Sequence, residues 1–569
     1  MSEEKKLAHN EHMKVDSNYL RGTLAKGLAD TSTGGLTEDE QQLLKFHGCY
    51  LQDDRDIRAG RRKHKLEKAF SFLIRVRVPG GVATPEQWIK MDNLATDYAN
   101  GTIKLTTRQA FQLHGVIKTQ LKKTIQEINA AALDTIAACG DVNRNVMCNP
   151  NPFLSQAHAD VLKISQEISD HLTPQTGAYH EIWLDGEKVE TTAKEVEPIY
   201  GKTYLPRKFK IAVAVPPSND VDIHANDLSF VAIVEGAKIV GYNVAVGGGM
   251  GMTHGDEKTY PRLADIIGFC TPEQVLDVSE KVLLVQRDFG DRTNRKHARL
   301  KYTIDDRSVA WFLRTLNEYL GYDLEPEREF KFDDNGDRFG WVEDHLGDFH
   351  LNLFIEGGRV RDQARVGLRK IAEIHQGDFR LTGNQNLIIA KVSPKARPAI
   401  EALLDKYGLL KSHLQSALRL NSISCVALPT CGLALAEAER GLPGVITDLE
   451  EVLEKTGLRH DAITIRMTGC PNGCGRPFLS EIAFVGRSPG KYNVYLGGGH
   501  AGDRLNKLYR EAVPRNEIKS LLGPLIEDYA KTREGAEKFG DFVIRAGYIA
   551  ATSNGLDFHA NLKVGAFNS

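Results

Sequence analysis

Gly101-Thr102-Ile103-Lys104-Leu105-Thr106-Thr107-Arg108-Gln109 is echoed 276 residues later by Gly377-Asp378-Phe379-Arg380-Leu381-Thr382-Gly383-Asn384-Gln385. The same series precedes each copy: a strand-like run ending in Gly-Gly, then a helical stretch, at 72–81 and 85–98 and again at 349–358 and 364–375. Further along, Tyr242-Asn243-Val244 leads into Gly247-Gly248-Gly249, and Tyr492-Asn493-Val494 into Gly497-Gly498-Gly499, now 250 residues apart. Order is kept while loop lengths are not, so the chain reads as an internally duplicated unit of helices and strands behind an N-terminal arm.

Successive residues of a strand point to opposite faces, so alternation shows what each strand offers. Through 103–113 the odd positions Ile103, Leu105, Phe111 and Leu113 form an apolar face. The even positions Lys104, Thr106, Arg108 and Gln112, with His114 beyond, are polar. Along 72–78, apolar Phe72, Ile74, Val76 and Val78 leave Arg75 and Arg77 opposite. Along 208–215, Phe209, Ile211, Val213 and Val215 oppose Lys208, Lys210, Ala212 and Ala214. Asn143-Arg144-Asn145 adds a cation in a turn-like setting. One basic strand face reads as solvated surface. Three of the same design suggest that a large planar or anionic partner approaches them.

Only the second copy carries paired cysteines: Cys425 and Cys431 as C-x5-C, then Cys470 and Cys474 as C-x3-C in Thr468-Gly469-Cys470-Pro471-Asn472-Gly473-Cys474-Gly475. Thiolates paired from two segments suit a metal or iron–sulfur centre. Structural zinc competes, but its pairs have two to four intervening residues, which favours a cluster over zinc. Cys49, Cys139, Cys148 and Cys270 are scattered and read as small core hydrophobes.

The 569 residues hold 73 Lys+Arg against 75 Asp+Glu, a net charge of −2 that marks neither a nucleic-acid nor a membrane-surface binder. Residues 1–15 contain no signal-peptide core and no apolar run is long enough to span a bilayer, so a cytoplasmic protein without disulfides is expected. Gly497-Gly498-Gly499-His500-Ala501-Gly502 fits the dinucleotide fingerprint G-x-G-x-x-G, but the triplet recurs at Gly247 without it and reads as a structural turn.

The two cysteine segments, residues 105–115, Asn143-Arg144-Asn145 and Tyr204-Leu205-Pro206-Arg207-Lys208-Phe209-Lys210 resemble the sirohaem-dependent sulfite and nitrite reductases. Ser17-Asn18-Tyr19-Leu20-Arg21-Gly22 and residues 52–58 are similar to the haemoprotein (beta) subunits of its bacterial NADPH-dependent branch. The resemblance covers nearly the whole chain. It implies an α+β fold with a split ferredoxin-like domain (72–137 plus 338–412) and two sirohaem/cluster-binding lobes, 138–337 for sirohaem and substrate and 413–569 for the cluster, behind an arm at 1–71. It implies a [4Fe–4S] cluster on Cys425, Cys431, Cys470 and Cys474, with Cys474 also on the sirohaem iron and Asn472 and Gly473 beside it. Sulfite would sit among Arg75, Arg144, Lys208 and Lys210. Lys104, Arg108, Arg207 and the group Arg292, Arg295, Lys296, Arg299 and Lys301 would meet the sirohaem carboxylates, with Gln112 and His114 at the pocket; enteric members carry Arg where this chain has Lys104. The implied reaction reduces sulfite to sulfide by six electrons. The chain has no convincing flavin or NADPH site, so the resemblance implies a flavoprotein (alpha) subunit with FAD and FMN in a hetero-oligomer. A ferredoxin donor, and nitrite as substrate, are the alternatives.

Overall fold

The structure, a computed structural model, describes residues 6–560 apart from 152–153, 180–182, 185–186, 189–194 and 196, with backbone alone at 179, 183–184 and 187–188. Two five-stranded sheets make the split domain. The first runs in the order Cys49–Asp53, Phe70–Val76, Phe111–Val116, Ile103–Leu105, Arg359–Val360, and the second Gly340–Glu343, Phe349–Leu353, Leu387–Val392, Asp378–Leu381, Val82–Ala83. The halves exchange edge strands: Arg359 and Val360 pair with Lys104 and Ile103, while Val82 and Ala83 pair with Arg380 and Phe379. Each half thereby closes the other's open edge. Strand Cys49–Asp53, from the segment read as arm, is the outer strand of the first sheet.

Helices Pro85–Asp97 and Asp362–Ala372 lie against each other, tied by Arg365 and Arg369 to Asp92 at 3.1 and 2.7 Å. Thr84 and Gln87 form a capping box ahead of the first, with Pro85 in its opening turn, where a missing N–H costs nothing. Trp88 from that helix stacks on Phe379 at 4.8 Å and meets Phe111 edge-on at 5.8 Å, joining the two sheets through one buried side chain.

Residues 103–113 are not one strand. Ile103–Leu105 and Phe111–Val116 are two strands joined by a turn in which Gln109 takes φ +50°. Their register sets Lys104 opposite Gln112 and Leu105 opposite Phe111, so the polar face survives the turn. Arg75 lies opposite Gln112 on the other side. Arg77, beyond the strand's end, pairs instead with Asp134 at 2.8 Å and with Ser169.

Each lobe carries a five-stranded sheet of one topology. Met147–Cys148, Ile211–Ala214, Leu228–Glu235, Lys238–Val246 and Asp265–Cys270 correspond to Ser422–Ser424, Ile465–Thr468, Ile482–Ser488, Lys491–Leu496 and Lys507–Pro514. In both, the first three strands are parallel and the last two antiparallel. One apolar core runs through the split domain and first lobe, and the second lobe has its own. The N-terminal helix His9–Asp16 docks on the first lobe through buried Lys14, which pairs with Glu11 at 2.6 Å and donates to Leu205 O at 2.8 Å. No described helix is long and apolar enough to cross a membrane.

Candidate functional site

Cys425 follows strand Ser422–Ser424 and Cys470 lies just past Ile465–Thr468, so both thiols leave the carboxyl ends of adjacent parallel strands, where open sheets hold their ligands. The loops are shaped by close approach. A Cβ on Gly469 would stand 2.6 Å from both Ala427 Cβ and Ala436 O. Gly473 has φ +67°, and its Cβ would meet Met250 O at 2.7 Å. Gly469 N donates to Cys425 Sγ at 3.3 Å, the Thr107 hydroxyl to Cys474 O at 2.9 Å, and Arg55 to the carbonyls of Cys431, at 3.2 Å, and Ala434.

All four cysteines line one cavity with about 1030 Å³ of empty space. Burial raises the pKa of Cys425, Cys431 and Cys470, the last to about 12, and the neighbouring thiols, Cys474 foremost, raise it further. Four adjacent thiolates therefore need a bound cation to exist. Among the described residues no three His, Cys, Asp or Glu side chains converge closely enough to share one ion. A tetrahedral zinc would draw its sulfurs to about 3.8 Å from one another. Thiols spread around a cavity instead fit a cluster, in which each binds a different iron.

Arg75, Gln112, Arg144, Lys208 and Lys210 line the same cavity, and among the described residues no carboxylate lines it. Arg75 donates to Cys139 Sγ at 3.2 Å and lies 5.8 Å from the Tyr50 ring centroid; with its amide oxygen turned to Arg75, Gln112 accepts from Nε and Nη2 at 3.2 and 3.0 Å. Arg144 spends Nη2 on Gly140 O at 3.1 Å, and its buried Nε has no partner. The side-chain amines of Lys208 and Lys210 make no hydrogen bond or ion pair among the described residues. Burial, and then the neighbouring cations, push both amines well below the usual lysine range: Arg207 and Arg144 act on Lys208, Lys208 and Arg108 on Lys210. Uncompensated like charges at this density suit an anion.

A second hollow of about 690 Å³ adjoins, sharing Lys208 and Asn472 and lined also by Arg207, Arg295, Lys296 and Arg299, again with no carboxylate on its wall. Asp141 supports it from behind, 2.7 Å from Arg295 and 3.9 Å from Arg207, while Asp227 holds Arg299 at 2.9 Å. Burial and Arg295 bring the Arg207 guanidinium down to about 10. The two hollows together fit a large polycarboxylate macrocycle on a thiolate cluster, their linings combining four thiols, the unengaged amines of Lys208 and Lys210, and the arginines Arg75, Arg144, Arg207, Arg295 and Arg299.

Several of the expected cofactor contacts already have partners within the fold. Lys104 lines the cavity but pairs with Glu439 at 2.8 Å and with Gly357 O; Glu439 is also held by Arg359, joining the split domain to the second lobe. Arg108 is clamped on Asn145 O, Ile211 O and Asn226 Oδ1 at 2.7–3.0 Å. His114 is buried behind the wall, 3.3 Å from Gln52, and it is Gln52 that reaches the cavity. Arg292 holds Glu11 and the Tyr204 carbonyl, and Lys301 the carbonyls of Gly249, Gly251 and Tyr260; neither lines either hollow. The sequence reading missed Gln52, Thr106, Thr107 and Gln385 on the wall, Arg55 on the cluster loop, and Lys45, whose ammonium burial, Arg295 and Arg207 bring down to about 8. Thr106, Thr107 and Gln385 sit in the repeated stretches, so the repeat was the signal for them; Gln52 and Arg55 lie in residues 52–58, already marked by the resemblance, and Lys45, which lines neither hollow, had no signal.

The Gly497 turn binds no dinucleotide in the manner of G-x-G-x-x-G. It joins strand Lys491–Leu496 to strand Lys507–Pro514 with no helix to follow, and a Cβ on Gly498 would lie 2.3 Å from Ser480 O, as one on Gly248 would from His224 O.

Known proteins agree with this picture. The model of the nitrite/sulfite reductase ferredoxin-like half domain matches residues 64–131 and 343–407. That of the nitrite and sulphite reductase 4Fe-4S domain matches 164–324, the lobe whose copy, rather than itself, carries the cysteines. A "sulfite reductase [NADPH] hemoprotein beta-component" of Anoxybacillus flavithermus is 60% identical over 554 residues, 96% of this chain and 97% of that one. Its counterpart in Oceanobacillus iheyensis is 58% identical over 557 residues, 97% and 96%. The solved structure of Mycobacterium tuberculosis NirA protein superposes with a TM-score of 0.76 at 25% identity, covering 95% of this chain and 97% of that one. With 58–60% identity to these relatives over nearly its whole length, the chain belongs to the nitrite and sulfite reductase family, among the sulfite reductase [NADPH] hemoprotein beta-components.

Proposed function

We propose that the chain is the haemoprotein component of an NADPH-dependent sulfite reductase, reducing sulfite to sulfide. The observation that carries this reading is one cavity lined by four thiols together with Arg75, Arg144, Lys208 and Lys210, and by no carboxylate among the described residues. Cys425, Cys431, Cys470 and Cys474 would hold a [4Fe–4S] cluster, Cys474 reaching the sirohaem iron as well, and Arg207, Arg295, Lys296 and Arg299 would meet the sirohaem carboxylates. When bound, the coupled pair supplies electrons and the iron to which the substrate sulfur binds. The protein's part is electrostatic and protonic. Arg75 and Arg144 orient the dianion by charge-assisted hydrogen bonds, Arg144 Nε being without another partner. Lys208 and Lys210 have depressed pKa values and unengaged amines, so they can give up a proton more readily than an ordinary lysine. The balance is six electrons and seven protons per sulfite, giving HS⁻ and three waters, so proton donors must reach the S–O oxygens repeatedly. The beta-component names of the relatives imply an alpha partner. We assign it as a flavoprotein carrying FAD and FMN, in a cytoplasmic hetero-oligomer.

The test is the absorption spectrum of the purified protein together with sulfide release from sulfite under an artificial one-electron donor. Soret-type and red bands with stoichiometric sulfide are expected. A colourless protein, or one releasing no sulfide when fully loaded, overturns the reading.

A further inference from the structure

The duplication gives the cofactor cavity a counterpart. Gln109 and Gln385 are matched, and each side-chain oxygen accepts the N–H of a residue ending the first strand of a lobe, Cys148 at 3.0 Å and Ser424 at 3.1 Å. One residue on, Asn149 matches Cys425: Val215 N donates to Asn149 Oδ1 at 2.6 Å as Gly469 N donates to Cys425 Sγ. Asp222 and Arg476 are left-handed residues before the matched turns Ile223–Ala225 and Pro477–Leu479, which sets Asp220 in the place of Cys474. Asn352 faces Ile388 where Arg75 faces Gln112. Asn149, Asp220, Asn352 and Ile388 line a second cavity with about 940 Å³ of empty space.

Its chemistry is reversed. Two cluster positions are joined directly, Asn149 Nδ2 donating to Asp220 Oδ1 at 2.7 Å. Asp220, 9% exposed, accepts no other bond. Asn352, 5% exposed, donates to Arg338 O at 2.9 Å, and its Oδ1 has no partner. The exposed Arg338 guanidinium makes no hydrogen bond or ion pair among the described residues. Asp337 also lines the cavity, but Thr382, Asn384 and Asn386 occupy both its oxygens. The unspent groups among the described residues are therefore a buried carboxyl oxygen, a buried amide carbonyl, Nε2 of His158, whose Nδ1 is taken by Ser155 at 2.9 Å, and a guanidinium at the open side, beside apolar Leu154, Val342 and Ile388.

A metal ion does not fit, because no three acidic, histidine or cysteine side chains among the described residues converge. An ammonium does: its three N–H groups suit one carboxylate and one amide carbonyl, and a guanidinium suits a carboxylate. We propose that this cavity binds a small zwitterionic amino acid with an apolar side chain, its ammonium on Asp220 and Asn352 and its carboxylate on Arg338. Burial, with Asp337, Asp334 and Asp222 nearby, holds the Asp220 carboxyl well above the usual range, and a bound cation would restore its charge. The site is independent of the reading given to the cofactor cavity.

Calorimetric titration of the holoenzyme with L-alanine, L-valine and L-leucine tests it, against propionate (no ammonium), n-propylamine (no carboxylate) and Mn²⁺. Saturable binding of at least one amino acid is expected, weakened by about tenfold or more when either charged group is missing. Asp220→Asn and Arg338→Ala should each weaken it similarly without changing the cofactor spectrum; Arg338 is exposed, so its variant keeps the test valid if Asp220→Asn misfolds. Three results overturn the proposal: no saturable heat at about 10 mM probe, affinity unchanged in Arg338→Ala, or Mn²⁺ binding that Asp220→Asn abolishes and amino acids do not displace.

Discussion

Cys474 is the most exposed of the four thiols and the one whose carbonyl Thr107 holds, and Asn472, between it and Cys470, lines both hollows. If it serves both metals, Cys474→Ser should remove or strongly perturb the sirohaem bands as well as the cluster signal. Cys148→Ser, in the lobe without a cluster, should leave both nearly intact; equal metal content in wild type and Cys474→Ser would refute the assignment. Lys210 bears on substrate choice. Sulfite carries about one more negative charge than nitrite near neutral pH, and a charged hydrogen bond is worth roughly 1.5–3 kcal/mol. Lys210→Asn should therefore lower kcat/KM for sulfite about ten- to a hundredfold more than for nitrite at equal sirohaem occupancy. A parallel fall would mean that Lys210 tunes the cofactor. The two lysines also set a pH dependence. Their folded pKa values lie below the unfolded one, so the folded chain binds fewer protons and stability rises with pH up to about 10.4. Denaturant unfolding of cofactor-free protein should show that rise, and Lys208→Met with Lys210→Met should flatten it.

At the scale of elements, the site depends on two loops leaving parallel strands and on a strand pair carrying the cations. Gly473 is the position where backbone geometry decides most, combining φ +67° with contact on Met250 O across the boundary between lobes. A left-handed conformation costs a side-chain-bearing residue about 1–2 kcal/mol, and the contact adds to it. Gly473→Ala should fold yet load the cluster incompletely, read as a reduced iron-to-protein ratio after reconstitution, whereas Gly490→Ala, whose Cβ meets nothing within 4 Å, should load normally. The same strands explain what alternation could reveal. Arg75, Lys104 and Gln112 share one face because cross-strand register preserves parity through the turn at Gln109. Alternation could not foresee that Lys104 is neutralised by Glu439, since that partner comes from 335 residues away.

Across the whole molecule, the lobes are locked by charge. Asp222 of the first lobe accepts from Arg466 at 2.6 Å and from Arg476 of the second, and Arg476 reaches on to Thr107 O at 2.6 Å and Gly383 O at 2.8 Å, matched carbonyls of the two repeats. Removing one partner of a buried network costs about 3–5 kcal/mol. Asp222→Asn should lower the thermal unfolding temperature and loosen cofactor retention together, measured by scanning calorimetry and by loss of the visible spectrum on dilution. An unchanged transition would show that the lobes are held by their apolar contacts alone. Beyond what the family resemblance implied for Arg144 and the sulfite site, the sequence by itself determined the duplication, the four-cysteine pattern, and the polar strand faces that carry Arg75, Arg77, Lys208 and Lys210. These rest on local spacing and on alternation, which are properties of short segments. Only the tertiary structure decided which cations remain uncompensated. Lys104, Arg108, Arg292 and Lys301 find carboxylates or carbonyls far off in sequence, and Gln52 rather than His114 reaches the cavity. The exchange of edge strands between halves, and the second cavity in which Asn149 and Asp220 replace thiols, likewise appear only when residues hundreds apart are brought together. Charge compensation and burial belong to the assembled surface, and no single stretch of chain contains them.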